Sequence, residues 1–283
     1  MLDKQLPVGV FDSGLGGLSA VREIKKLLPD EDIIYFGDTG RLPYGTRSEK
    51  IICDYAADDM TFLSSFRVKA VCVACGTVSS IALPSLRERF SLPLIGVVEP
   101  AARQAAAWTK KKRVGVLATP STIASGAFRK AVRDADEEIE VRGIGCPMFV
   151  PLVENGYIAA DDPVTNIIAR EYVSKLADFS PDVIILGCTH YPLIRPIIEK
   201  AADGIIGGVR TVDAGAAAAA ALDAYLAENG LKREGHTGKT SFYVSDDPAG
   251  FENLASRFLG EAVADATRID IGRYRYGTER NIQ

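Results

Sequence analysis

Two cysteines stand in matched surroundings. One ends the run Ala70-Val71-Cys72-Val73-Ala74-Cys75-Gly76-Thr77, and the other the run Val183-Ile184-Ile185-Leu186-Gly187-Cys188-Thr189-His190. Each follows an apolar, strand-like stretch and a small residue, with Thr one or two positions later and a helix-like pattern beyond. In an α/β fold, the residue leaving the carboxyl end of a strand faces the ligand crevice. Matched strand ends therefore predict two thiols facing one site. A lone cysteine there is more often buried and inert, but a matched pair can form a disulfide, bind a metal or pass protons. At helix N-termini, the dipole is expected to lower both thiol pKa values toward neutrality.

Proton transfer explains the surroundings best. A thiolate on one face of an amino-acid Cα takes its proton, and a thiol on the other face delivers one, inverting the centre. This needs two acid/base groups on opposite sides of a fixed carbon and anion sites for the carboxylates. Ser13, the Gly76-Thr77 turn and Thr189 are candidates for those sites. Asp12, at a strand end before a glycine-rich turn, is placed to tune Cys75, and His190 to tune Cys188. Glu154 closes an apolar segment and is expected near His190 or a ligand amine. Tyr44 and Gly45 lie in a long loop that begins at a strand's carboxyl end. Thr119 and Thr122 repeat the hydroxyl-rich strand-to-helix turn.

The elements that position these residues read as strands alternating with helices, so the fold class is α/β with mostly parallel sheets. The two cysteine stretches suggest two similar domains with the active site in the cleft between them. Residues 1–98 plus 211–270 are expected to form the first domain, carrying Cys75. Residues 99–210 form the second, carrying Cys188, and 271–283 read as a polar tail. The helical pattern is expected to run unbroken over 77–90.

At 283 residues, 47% hydrophobic and 25% charged, the composition is that of a globular protein. The net charge of −4 gives no basis for a nucleic-acid partner. No stretch approaches the ~20 apolar residues that span a bilayer, and no signal-peptide pattern opens the chain, so a cytoplasmic location is expected. Five cysteines in no scaffold spacing are expected as thiols. Cys72 and Cys75 form a C-x-x-C, but no second pair or histidine cluster completes a zinc site, and no metal is expected.

The ordered motifs Val10-Phe11-Asp12-Ser13-Gly14-Leu15-Gly16-Gly17-Leu18, Pro43-Tyr44-Gly45, Ala74-Cys75-x-Thr77, Leu152-Val153-Glu154-x-Gly156 and Gly187-Cys188-Thr189-His190-Tyr191-Pro192 span nearly the whole chain. On these the sequence resembles the glutamate racemases of the cofactor-independent aspartate/glutamate racemase superfamily. The resemblance implies interconversion of L- and D-glutamate for peptidoglycan, no pyridoxal phosphate or other cofactor, and a homodimer. It implies Cys75 and Cys188 as the acid/base pair. It places Asp12, Ser13, Tyr44, Gly45, Gly76, Thr77, Thr189 and His190 against substrate, with Thr119 and Thr122 at the distal carboxylate. In one place the chain departs from the pattern: Gly76 stands where the family has Asn. A lost hydrogen bond to a charged group costs about 1.5–3 kcal/mol, which bears on affinity and substrate choice. A racemase for aspartate or another amino acid, a non-catalytic binding protein using the same cleft, and a thiol redox role are the other readings.

Overall fold

A computed structural model describes residues 3–277. The first lobe opens with β1 (Val8–Asp12), buried throughout as a strand inside a parallel sheet must be. After a glycine-rich turn, α1 (Leu18–Leu27) buries Leu18, Val21 and Ile24, and places Lys25 and Lys26 in its last turn, where the helix dipole favours cations. There follow β2 (Ile33–Gly37), α2 (Glu49–Ser64), β3 (Ala70–Val73), α3 (Gly76–Ile81), α4 (Leu83–Arg89) and β4 (Leu94–Gly96). The helix expected over 77–90 is thus two helices meeting at Ala82, with Pro84 in the first turn of α4. Proline has no N–H to continue the ladder, and its ring crowds the preceding turn.

The second lobe contains α5 (Val98–Trp108), β5 (Arg113–Ala118), α6 (Pro120–Ala124), α7 (Ala127–Ala135), β6 (Glu140–Gly145), α8 (Phe149–Glu154), α9 (Pro163–Ser174), β7 (Val183–Leu186), α10 (Arg195–Ile205) and β8 (Arg210–Asp213). The chain then returns through α11 (Ala214–Glu228), β9 (Thr240–Val244), α12 (Pro248–Leu259) and β10 (Thr267–Arg268). The first sheet has strand order β10-β9-β2-β1-β3-β4 and the second β6-β5-β7-β8. All pairings are parallel.

The division expected at 210/211 falls inside β8, whose four residues pair with β7. The second sheet therefore runs to Asp213. That residue also caps α11, accepting the N–H groups of Gly215 and Ala216. The expected tail is corrected too. Ile271–Tyr274 forms a one-turn helix with Ile271 buried, Tyr274 meets Phe62 edge-on at 5.0 Å, and the Tyr276 N–H donates to Asp58 at 3.0 Å. Apolar side chains in the segment, hidden by its polar average, dock it on α2. Residues 278–283 of that expected tail lie outside the described residues.

One apolar cluster is continuous from the inner side of the first sheet into the second lobe, and a second fills the space between the first sheet and α2–α4. Among the described residues no helix is long and apolar enough to cross a membrane.

Deleting residues 271–283 strips Ile271 and Tyr274 from this packing. Losing one buried aliphatic and one aromatic contact costs ~2–4 kcal/mol, so thermal unfolding should shift down by about 5 °C or more. An unchanged midpoint in a calorimetric scan would return the segment to the status of a loose tail.

Candidate active site

Every parallel strand of a sheet points its carboxyl end the same way, and the chemistry collects there. Asp12 ends β1, Cys75 follows β3, Thr119 follows β5, and Cys188 follows β7. A cavity of about 390 Å³ lies between these ends. The first lobe contributes Ser13, Tyr44, Gly45, Cys75, Gly76 and Thr77 to its wall, and the second Thr119, Thr122, Glu154, Cys188, Thr189 and His190. Asp12 alone of the expected residues stands behind the wall, 1% exposed. Two other hollows, of about 550 and 480 Å³, are lined by a mixture of charged and uncharged residues and contain no cysteine.

On the first lobe, Cys75 precedes α3 and its sulfur lies 3.5 Å from Ser13 Oγ. Burial pushes its pKa up to about 12, and the neighbouring charge of Asp12 adds to the rise. The expected lowering by a helix dipole is therefore overturned at Cys75: α3 has only six residues, and desolvation disfavours the thiolate more strongly than so short a dipole favours it. Asp12 is also raised by burial, against the opposing charge of His190. Its Oδ2 accepts the Gly14 N–H at 3.0 Å, while its buried Oδ1 has no hydrogen-bond partner among the described residues. Cys72, wholly buried in β3, is pushed up to about 12 by burial alone. All five cysteines are free thiols.

The second lobe is built differently. His190 lies between a sulfur and a carboxylate, with Nδ1 3.8 Å from Cys188 Sγ and Nε2 3.0 Å from Glu154 Oε1. The edge of Phe258 from α12 packs on the ring at 5.2 Å. Burial works against an imidazolium here. The hydrogen bonds and negative charge of Cys188 and Glu154 prevail and raise His190 to about 10. At neutral pH, His190 keeps its proton and presents a positive charge to the Cys188 sulfur.

Hydroxyls join the lobes at one end of the cavity. Thr77 Oγ1 lies 3.3 Å from Thr119 Oγ1 and 3.4 Å from Thr122 Oγ1. Thr119 also caps α6, accepting the Thr122 N–H. Tyr44 lines the wall, but its hydroxyl bonds to two carboxylates, Asp38 and, at 3.0 Å, Asp59. Arg41 binds both acids and Asp58 at 2.6–2.8 Å. Burial and the charge of Asp38 raise Asp59 well above the usual carboxylate range, against the opposing pull of Arg41.

Sequence reasoning missed this support. The signal was present: Asp38 directly follows β2, and Asp59 falls between apolar residues on the inner side of α2. It also missed Cys146 and Pro147 in the cavity wall, although Cys146 follows β6 as Cys188 follows β7. Among the described residues, no group of three or more His, Cys, Asp or Glu is placed to hold a metal ion.

The model of the Asp/Glu/hydantoin racemases matches residues 16–222. The chain belongs to that family. It is 42% identical over 266 residues to a glutamate racemase of Geobacter metallireducens, covering 93% of this chain and 96% of the relative. The structure superposes on the glutamate racemase of Francisella tularensis in complex with D-glutamate with a TM-score of 0.88, at 36% identity, covering 96% of this chain and all of that one. The glutamate racemase isoform RacE1 from Bacillus anthracis gives a TM-score of 0.89 at 34% identity, covering 94% and 98%. The protein is an isomerase of the racemase type.

Two measurements check these electrostatics. Alkylation of Cys75 by iodoacetamide, read on its peptide by mass spectrometry, should rise about tenfold per pH unit from pH 7 to 10 without a plateau, and Asp12→Asn should speed it at fixed pH. A plateau near pH 8 would contradict the raised thiol. For His190, the folded pKa lies above the ordinary 6.5. Its contribution to stability is therefore full below about pH 6.5 and is lost as pH rises through about 10. His190→Gln should flatten that decline in chemical denaturation measured across the same range.

Proposed function

We propose that this protein interconverts L- and D-glutamate by proton transfer at Cα between Cys75 and Cys188, without a cofactor. The observation that carries the reading is the placement of two thiols from opposite lobes on one small cavity, with a buried histidine beside Cys188 and a buried carboxyl group behind Cys75. The cation lies beside Cys188, so a thiolate there has a partner. The carboxylate lies behind Cys75, where it favours the neutral thiol. One sulfur then takes the Cα proton while the other gives one to the opposite face, and in the reverse direction their roles exchange. Two general acid/base groups flanking one carbon require this pairing.

Glu154 holds the imidazole of His190 in orientation and stabilises its charge. Thr77, Thr119 and Thr122 offer hydroxyl donors to one carboxylate of the substrate, and Ser13, the Gly76-Thr77 turn and Thr189 surround the other. Burial removes water that would otherwise screen the developing charge on the substrate. The likeness to glutamate racemases, one of them holding D-glutamate, supports glutamate as the amino acid. Two further parts of the proposal rest on the resemblance carried by the sequence motifs: a homodimer, and a cytoplasmic role in supplying D-glutamate for peptidoglycan.

The test is solvent exchange. Protein is incubated with L-glutamate in D2O without pyridoxal phosphate and followed by proton NMR and polarimetry, with L-aspartate in parallel. The expected result is loss of the glutamate Cα–H signal together with decay of optical rotation. Racemisation should fall by ~10²–10⁴-fold or more in Cys75→Ala and in Cys188→Ala. Exchange of aspartate alone would transfer the assignment to that substrate, and exchange of neither would overturn it.

A further inference from the structure

The two cysteine turns meet main chain to main chain. Gly76 is the first residue of α3, directly after Cys75, and Gly187 directly precedes Cys188. A Cβ on Gly76 would overlap the carbonyl oxygen of Gly187, closer than the 3.0 Å at which side-chain carbons stop, with the Gly187 carbonyl carbon at 3.5 Å and Cys188 Cα at 3.9 Å. The obstacle is backbone, so no change of rotamer relieves it. Gly76 is helical and has no positive φ. The need for glycine there comes from contact, not from backbone conformation.

The opposing turn has little room to retreat. A Cβ on Gly16 would strike Thr189 Oγ1 and come within 2.6 and 2.7 Å of atoms of the His190 ring. Ser19 Oγ donates to the Thr189 carbonyl at 2.8 Å. Where Gly187 would carry a Cβ, Phe128 and Ala118 already stand at 2.9 and 3.1 Å. The turn 187–190 is thus seated against Gly16 and Ser19, against Phe128 and Ala118, and against Gly76.

We propose that Gly76 is a positioning residue that sets the separation of the two cysteine turns. Any side chain there holds the Cys188 turn back by on the order of 1 Å, the difference between overlap and ordinary van der Waals contact. Asn, the residue that the racemase resemblance expects at this position, is no exception. It brings a hydrogen-bond donor but displaces the Cys188 turn in doing so. In this chain, close approach of the two turns replaces that donor.

The experiment compares Gly76→Ala, Gly76→Ser and Gly76→Asn with the unaltered protein. Steady-state kinetics in both directions should show kcat lower by roughly 10- to 100-fold in all three, as a displacement of about 1 Å at reacting groups produces. KM should change much less, and Asn should be no better than Ala. A second readout needs no turnover: cross-linking of Cys75 to Cys188 by 1,3-dichloroacetone, followed on peptides by mass spectrometry, should slow in each variant. Alkylation of each cysteine singly should not slow. Should Gly76→Asn fail to fold, Gly76→Ala, larger by one methyl group, carries the test. A Gly76→Asn protein with the original kcat or better would overturn the proposal, as would cross-linking at an unchanged rate. The kinetic arm rests on the racemase reading and the cross-linking arm does not. An unaltered protein that fails to racemise glutamate therefore refutes that reading and leaves Gly76 to be judged by the cross-link.

Discussion

Burial of charge in the cleft between the lobes is the constraint on which the rest of this structure depends. Asp12, Cys75, His190 and Cys188 are each at most 9% exposed, and in such surroundings every charge is felt by its neighbours far more strongly than in water. His190 stays protonated because a sulfur and a carboxylate flank it, although its burial opposes that state. Cys75 is held as a thiol by burial and by Asp12. Asp12 and His190 also act on each other across the site, so the two halves are electrostatically one unit. Parting the lobes would admit water and weaken every one of these effects together.

The fold keeps them together by ordinary means. Parallel strands deliver Asp12, Cys75, Thr119 and Cys188 to one edge of each sheet, and the two sheets present those edges to one another. The apolar cluster that runs between the lobes through α1, α5 and α11 fixes their spacing. Contacts at the cleft then act as fine adjustment: the Ser19 to Thr189 bond, the Thr77 hydroxyl against Thr119 and Thr122, and Phe258 on His190. Tyr44 belongs to the same logic. Its hydroxyl is committed to Asp38 and Asp59, with Arg41 closing the cluster, so the 39–47 loop is tied to α2 and its ring becomes a firm wall.

Much of this was legible in the sequence where one rule acted alone. The strand Val183–Leu186 and the helix Pro248–Leu259 fall where their patterns put them, because a short apolar run and an Asp-Pro helix start each have few alternatives. The convergence of Cys75, Cys188 and His190 followed from strand-end placement, and that of Glu154 from its place at the end of an apolar segment. What escaped depends on three-dimensional competition. A thiol at a helix start reads as acidified until its burial is known, and Cys75 goes the other way. The strand Arg210–Asp213 is too short and polar at its ends to declare which sheet it joins. Tyr274 and Ile271 look like isolated apolar residues in a charged tail, and only the surface of α2 gives them a place. Asp59 in a helix reads as solvated until Arg41 and Tyr44 are seen around it.

Gly76 shows how far a single position can mislead when read alone. From sequence, glycine in place of Asn is a loss: one donor fewer for a substrate carboxylate. In the structure the same hydrogen atom is what allows the first turn of α3 to lie under the Gly187 carbonyl. A side chain adds an interaction only if the main chain leaves space for it, and here the opposing turn occupies that space. The opposing turn is itself held by Gly16, Ser19, Phe128 and Ala118, so the fit around Gly76 is shared by residues scattered over both lobes. A side chain on Gly76 alters the spacing of the two sulfurs before it supplies any new contact. Proton transfer between two sulfurs through one carbon depends on that spacing more steeply than substrate binding depends on one hydrogen bond.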